Sequence, residues 1–223
     1  MSEDETNKFV REGVTLAKLS HPNIVGLIGI VVQQQPMIVM EYVPGGDLHT
    51  YLTHLKGRPT YLPTLIKMCE DAACGMAYLE KKGVIHRDLA ARNCLVDKSR
   101  VKINDFGMSR EEDIYMRHSS DNFPVRWTAP ESLTNEVYTS KSDVWSFGIL
   151  MWEIFSRGDQ PYPDISKNYT VAEKVKKGYN MDAPAETPEG CYNLMKNCWE
   201  FNPNDRYSFK RIKQELKVIH ENM

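Results

Sequence analysis

His86-Arg87-Asp88-Leu89-Ala90-Ala91-Arg92-Asn93 gathers a carboxylate, two guanidinium groups and an amide, and Asp105-Phe106-Gly107 begins twelve residues after Asn93. These residue types divide into two tasks. Asp88 can accept a hydrogen bond from an attacking hydroxyl. Asp105 and the amide oxygen of Asn93 can hold Mg²⁺, a hard cation that takes few protein oxygens and completes its shell with phosphate and water. Phosphoryl transfer asks for this combination, because it needs positioned metal ions and an oriented hydroxyl more than covalent help from the protein. His86 reads as a structural residue packing the loop, since the neighbouring Asp88 already fills the acid–base role.

A long helix leads into this loop. Leu62, Leu65, Ile66, Cys69, Ala72, Ala73, Met76 and Leu79 recur in steps of three and one, which predicts a helix over 62–79 with one buried face. Short extended pieces at 93–96 and 101–103 follow, then a polar loop to about Pro130. Upstream, Phe9, Gly13, Leu16 and Leu19 predict a helix over 5–19, closed where Pro22 disfavours helical geometry at His21. β-Branched runs predict strands at 24–32 and 37–43, with Gln33-Gln34-Gln35-Pro36 as the hairpin turn. Pro44-Gly45-Gly46 breaks the second run, and Asp47 is placed to cap a helix carrying Leu48, Tyr51 and Leu52. Beyond Thr139, a good N-cap residue, the chain reads as helices separated by Pro/Gly loops, the last carrying Phe209, Ile212, Leu216 and Ile219. Strands in front and helices behind predict an α+β fold. A hairpin alone is marginal in water, so more strands are expected ahead of it.

The composition, 41% apolar and 26% charged over 223 residues, is that of a globular protein, and a net charge of −2 without a basic stripe speaks against a nucleic-acid partner. Five cysteines without a C-x-x-C pair predict buried free thiols in a reducing compartment, not a disulfide framework or a zinc site. The acidic start Met1-Ser2-Glu3-Asp4-Glu5 lacks the pattern of a signal peptide. The longest apolar-rich stretch, 144–155, is too short to span a membrane and contains Glu153, so no transmembrane segment is expected. A cytoplasmic protein fits these features, and Asn168-Tyr169-Thr170 is then an accidental glycosylation match.

H-R-D-x-x-x-x-N at 86–93, D-F-G at 105–107 and A-P-E at 129–131 occur in that order, followed by Asp143-Val144-Trp145-Ser146-Phe147-Gly148. Together they resemble the protein kinase catalytic domain. Ala90-Ala91-Arg92, with no lysine two residues after the aspartate, and Pro124-Val125-Arg126-Trp127 resemble the tyrosine kinases. Among these the likeness is to the non-receptor Fes/Fer group, through His21-Pro22-Asn23-Ile24-Val25, Leu27-Ile28-Gly29, Gln35-Pro36, Gly45-Gly46-Asp47 and Gly107-Met108-Ser109-Arg110.

The resemblance implies a two-lobed protein-kinase-like fold. Residues 1–43 would form a partial N-lobe (a helix and two strands) with the hinge, and 44–223 a complete, mainly helical C-lobe. It implies transfer of the ATP γ-phosphate to tyrosine hydroxyls of proteins in intracellular signalling, with ATP and Mg²⁺ as cofactors. Asp88 would be the catalytic base, Arg92 the nearby positive charge, and Asn93 and Asp105 the metal ligands. Met40 stands at the gatekeeper position, Glu41, Tyr42 and Val43 at the adenine-binding hinge, Asp47 near the ribose and Leu95 beneath the adenine. Pro124, Arg126 and Trp127 would form the shelf for the substrate ring. Trp127, Trp145, Trp152 and Trp199 read as core more than as ligand-binding residues, which for Trp127 stands beside its place in the shelf. A tyrosine in a polar loop is most often merely solvated, but the position of Tyr115 marks it as the activation-loop phosphosite, whose phosphate would pair with Arg87. Glu131 and Arg206 would form a buried ion pair, Asp143 would hold the catalytic-loop backbone, and Glu12 would pair with the ATP lysine.

That lysine and the family's Gly-rich loop are not found in this chain, nor is the SH2 domain that family members carry upstream. Two alternatives stay open, a truncated product and an incomplete gene model with the lysine encoded just upstream, and modules outside this chain would supply any membrane attachment. Asn104 before D-F-G, and Tyr207 where Arg-Pro is common, are smaller departures. The absent Gly-rich loop and ATP lysine leave a second expectation beside the enzyme: a catalytically impaired fragment or pseudokinase-like scaffold that binds partners through its helical lobe.

Overall fold

In the computed structural model, which describes residues 13–31, 37–59, 61–98, 100–112, 114–116 and 123–223, helical residues 13–17 precede an antiparallel pair, β1 (Leu27–Val31) and β2 (Met37–Met40). Then come α1 (Leu48–His54), α2 (Leu62–Lys81), β3 (Val84–Ile85), β4 (Cys94–Asp97), β5 (Arg100–Ile103), β6 (Arg110–Glu111) and β7 (Tyr115–Met116). The remainder is helical apart from one short strand: α3 (Pro130–Asn135), β8 (Val137–Tyr138), α4 (Ser140–Phe155), α5 (Asn168–Val175), α6 (Glu189–Cys198) and α7 (Phe209–Glu221). The α+β class and the mainly helical larger part are those expected of a kinase-like fold. Glu12, Phe9 and the 33–36 turn lie outside the described residues.

Local chemistry sets the helix ends. The Asp47 carboxylate accepts the Thr50 amide at 2.8 Å and so starts α1. α2 carries Pro63 in its first turn and stops at Lys82, followed by Gly83 at φ 68°, the left-handed position that glycine adopts without strain. Thr139 and Ser142 form a reciprocal capping box at the start of α4.

The core is built on two helices of different kinds. α2 buries Leu65, Ile66, Cys69, Ala72, Ala73, Met76 and Leu79 of the predicted face, with Leu62 half-buried, and it also buries Met68, Asp71 and Gly75, which the periodicity does not mark. Each large aliphatic side chain there contributes about 1.5–3 kcal/mol by leaving water. α4 is buried without a break from Ser142 to Phe155, as a central helix must be when it is apolar nearly all round. α7 closes the core by laying Phe209, Ile212 and Leu216 toward α2. Gly148 lets α6 approach α4, since a β-carbon there would stand 2.5 Å from Trp199 Nε1 and 2.8 Å from Cys198 Cβ. All five cysteines are free, and burial pushes the Cys191 and Cys198 thiols up to about 12. Among the described residues no helix is long and apolar enough to cross a membrane.

The described strands form four two-stranded sheets, β1–β2, β3–β6, β4–β5 and β7–β8. The polar loop expected up to Pro130 is therefore more structured than its sequence suggests, because it holds β6, β7 and a 3-10 turn at Val125–Trp127. Two-residue strands cannot display a period of two, and their partners are remote in sequence: Ile85 pairs with Arg110, and Tyr115 with Tyr138. The predicted strand at 24–32 is shorter than expected. Its start bonds β5 instead: Val25 N–H donates to Ile103 O, and Ile103 N–H donates to the oxygen of Asn23, just ahead of the predicted strand, both at 2.9 Å.

Candidate active site

β3 delivers the chain to His86, and one buried carboxylate holds the turn that begins there. Asp143 accepts the His86 amide at 2.7 Å and the Arg87 amide at 2.9 Å, one on each oxygen. Arg87 has φ 72°, a strained conformation for a residue with a β-carbon, and Asp143 offsets that cost. Burial raises the Asp143 carboxyl pKa, against the pull of His86 and Arg87. The His86 ring stands edge-on to Phe106 at 5.3 Å, and its Nε2 lies 3.1 Å from Asn104 O. Its Nδ1 accepts the Asp88 amide at 3.3 Å, so the network assigns the ring proton to Nε2. His86 is thus structural, tying the two motifs together.

Asp88, Asn93 and Asp105 meet at the open end of the β4–β5 hairpin. Asn93 donates through Nδ2 to Asp88 O at 2.7 Å and accepts the Asn104 amide on its backbone oxygen at 2.9 Å. Since Cys94 is in register with Ile103, Asn93 and Asn104 follow as the next pair, which brings Asp105 beside Asn93. Asp105 has φ 60° and an exposed side chain whose Oδ1 accepts the Gly107 amide at 3.2 Å. Asp88 is ion-paired to Arg92. Burial nevertheless raises the Asp88 carboxyl pKa, with Arg92 opposing.

The segment after β2 presents its backbone. Met40 is half-buried, Val43 turns its side chain into the core, and Tyr42 is 87% exposed. Glu41 Oε1 accepts the Gly26 amide at 2.7 Å and the Lys102 ammonium at 2.6 Å. Burial pushes the Glu41 carboxyl up, but the Lys102 and Gly26 bonds outweigh it and leave the pKa lowered. Gly45 N–H to Val96 O and Val96 N–H to Gly46 O, both 2.9 Å, zip this segment to β4, and a β-carbon at Gly45 would collide with the Val96 carbonyl. Leu95 and Asp47 face each other across an isolated bridge. Asp47 spends one carboxylate oxygen on the α1 cap.

At the expected substrate shelf, the Arg92 guanidinium lies 4.4 Å over the Trp127 ring. Pro124 begins the 3-10 turn that carries Trp127. Arg126 points the other way. Its guanidinium is buried and donates to Pro161 O, Tyr162 O, Ile165 O, Ser166 O and Asn168 Oδ1, so it anchors the shelf from below and offers no surface. Tyr115, half-buried in β7, receives Arg87 3.8 Å over its ring and Arg110 at 5.0 Å. Arg206 meets Glu131 with two parallel bonds of 2.8 Å and is fully buried.

Glu153, Lys102 and Ser146 complete the site, and sequence reasoning does not single them out for it. Glu153 Oε2 accepts Ala91 N at 3.0 Å and Trp127 Nε1 at 2.9 Å. The signal was present: a carboxylate in an otherwise apolar helical run needs a reason. Burial pushes it from 4.5 up to about 7, against its bonds from Trp127 and Ala91. A carboxyl raised in this way stabilises the fold below its unfolded value and loses that contribution as pH climbs through 7. Glu153→Gln is therefore expected to stabilise the protein at pH 8 by up to about 3 kcal/mol, and to give no gain near pH 4.5. Urea melts at the two pH values check this, and an equal gain at both would show that the charge carries no cost.

Residues 1–216 match the family described as protein tyrosine and serine/threonine kinase. The chain is 49% identical over 216 residues to tyrosine-protein kinase Fer of Homo sapiens, covering 95% of this chain and 26% of that protein. It is 49% identical over 219 residues to the transforming protein Fps of Fujinami sarcoma virus, covering 96% and 25%. Against the transforming protein Abl of Abelson murine leukemia virus it is 42% identical over 221 residues, covering 97% and 30%. The chain thus spans about a quarter of the length of Fer and of this Fps protein. With that extent of match and the motif geometry above, the chain belongs to the protein tyrosine and serine/threonine kinase family, as a tyrosine kinase domain similar to those of Fer and Fps.

Proposed function

We propose that this chain transfers the γ-phosphate of ATP to tyrosine hydroxyls of proteins. The observation that carries the reading is the meeting of Asp88, Asn93 and Asp105, with Asn93 bonded to the Asp88 carbonyl by its side chain and to Asn104 by its backbone. The donor set fits Mg²⁺: the Asn93 amide nitrogen is taken up by Asp88, which leaves the amide oxygen for a cation, and the Asp105 carboxylate is exposed. Mg²⁺ held there would offset the charge of the ATP phosphates. The backbone of 41–43 would receive the adenine, over Leu95. Asp88 accepts the hydrogen bond of the tyrosine hydroxyl and takes its proton as the tyrosine oxygen bonds to the γ-phosphorus and the bond from that phosphorus to the β–γ bridging oxygen breaks, releasing ADP. Its raised carboxyl pKa makes it a better base than an ordinary aspartate. Arg92 and Trp127 hold the substrate ring beside it. Tyr115 is the regulatory acceptor: phosphorylated, it would exchange the ring contact with Arg87 for an ion pair. In this reading 1–43 is small lobe and hinge, 44–223 is the large lobe, and the setting is cytoplasmic signalling.

Calorimetry of Mg²⁺-dependent ATP binding, with Asp105→Ala as control, followed by assay on a tyrosine peptide, tests the reading. The expected result is binding that the control loses, then phosphate on the peptide tyrosine and, by mass spectrometry, on Tyr115. Equal ATP binding by both proteins, or phosphate confined to serine, would overturn it.

A further inference from the structure

We infer that Glu153 is a positioning residue that couples the catalytic turn at Ala91–Asn93 to the substrate shelf at Pro124–Trp127; the inference rests on the phosphotransfer reading above. α4 brings three polar side chains to these segments. Asp143 holds the His86 and Arg87 amides, Ser146 Oγ donates to Trp127 O at 2.7 Å, and Glu153 accepts Ala91 N and Trp127 Nε1 on a single oxygen. Asp143, Ser146 and Glu153 are spaced by three and seven, so they share one face of the helix. Asp88 therefore lies in a stretch anchored on both sides, by Asp143 before it and Glu153 after it. Trp127 is anchored twice as well, through its carbonyl and its indole N–H.

This explains a carboxylate kept in an apolar helix. An unneeded buried charge is lost easily, whereas this one satisfies two donors from segments about 35 residues apart in sequence. The charged and titratable groups acting on it are Arg92 and Asp88 of the catalytic loop and the buried Cys94 thiol of β4. With both donors on one oxygen, the shelf cannot shift relative to the turn without breaking a bond. A hydroxyl delivered beside Trp127 thus arrives at Asp88 in register. Displacement of about 1 Å between reacting groups can cost about 100-fold in rate.

Three variants test the coupling. Trp127→Phe keeps a ring under Arg92 but removes the indole N–H. Glu153→Gln keeps an acceptor oxygen, and Glu153→Leu removes it. Expected are kcat values on a tyrosine peptide about 10-fold lower for Trp127→Phe and about 100-fold lower for Glu153→Leu, with KM for ATP unchanged and Glu153→Gln within about threefold of wild type. Amide exchange at Ala91 should quicken in Trp127→Phe, although Trp127 does not touch that amide except through Glu153. Wild-type kcat and unchanged Ala91 exchange in Trp127→Phe would overturn the coupling, as would Glu153→Gln as slow as Glu153→Leu. If Glu153→Leu does not fold, Trp127→Phe decides. If wild-type protein transfers no phosphate, the functional reading fails, and Ala91 exchange alone still decides whether Glu153 couples the two segments.

Discussion

Asp88→Asn is expected to lower tyrosine phosphorylation by roughly 10²–10⁴-fold while leaving Mg²⁺-dependent ATP binding unchanged. An amide still accepts the hydroxyl hydrogen bond, but it cannot take the proton. The separation of the two effects follows from the geometry, since Asn93 is oriented by the backbone carbonyl of residue 88 and not by its carboxylate. Asp105 takes its position from the β4–β5 register, which the substitution also leaves alone. Rate and calorimetry on the same preparation check both halves. A variant keeping more than about a tenth of wild-type activity would remove Asp88 from the role of base.

Arg206→Met is expected to cost about 3–5 kcal/mol of stability. Arg206 is fully buried and uses every nitrogen: Nε on Glu200 O, and Nη1 and Nη2 on Glu131, with Lys141 O and Phe201 O as further acceptors. Removing the cation strands the Glu131 carboxylate, to which, among the described residues, only Ser142 Oγ then donates, and takes a donor from several backbone carbonyls. The loss should exceed that of Arg211→Met, whose partner Glu215 is a solvent-exposed neighbour on α7 at 3.4 Å. Urea melts of the two variants make the comparison, and equal losses below about 1 kcal/mol would mean that the buried pair contributes no more than a surface one.

What was legible in the sequence was what repeats or caps. The buried face of α2, the closing face of α7 and the caps at Asp47 and Thr139 are written in residues near one another along the chain, and periodicity exposes them. The turn at 86–93 was equally readable as a candidate site, because its residue types are compressed into a few consecutive positions. The features that escaped depend on remote partners. β6 and β7 exist only because β3 and β8 lie opposite them, and nothing local to Arg110 or Tyr115 announces that. Direction of side chains was hidden for the same reason. Arg126 and Trp127 are adjacent, yet one is drawn inward by carbonyls more than 30 residues away and the other lies under Arg92. Lys102 reads as an ordinary strand lysine until Glu41 is found beside it.

The packing of α7 on α2 bears on how the protein is made. The apolar face of α2 is synthesised well before its cover, α7. Some 130 residues separate them, and at about 5–20 residues per second the gap lasts on the order of 10 s. Through that interval the nascent chain carries the apolar face of α2 without the cover that α7 later provides. A chaperone that holds the emerging helix therefore acts in a window whose length is set by where α7 falls in the reading frame.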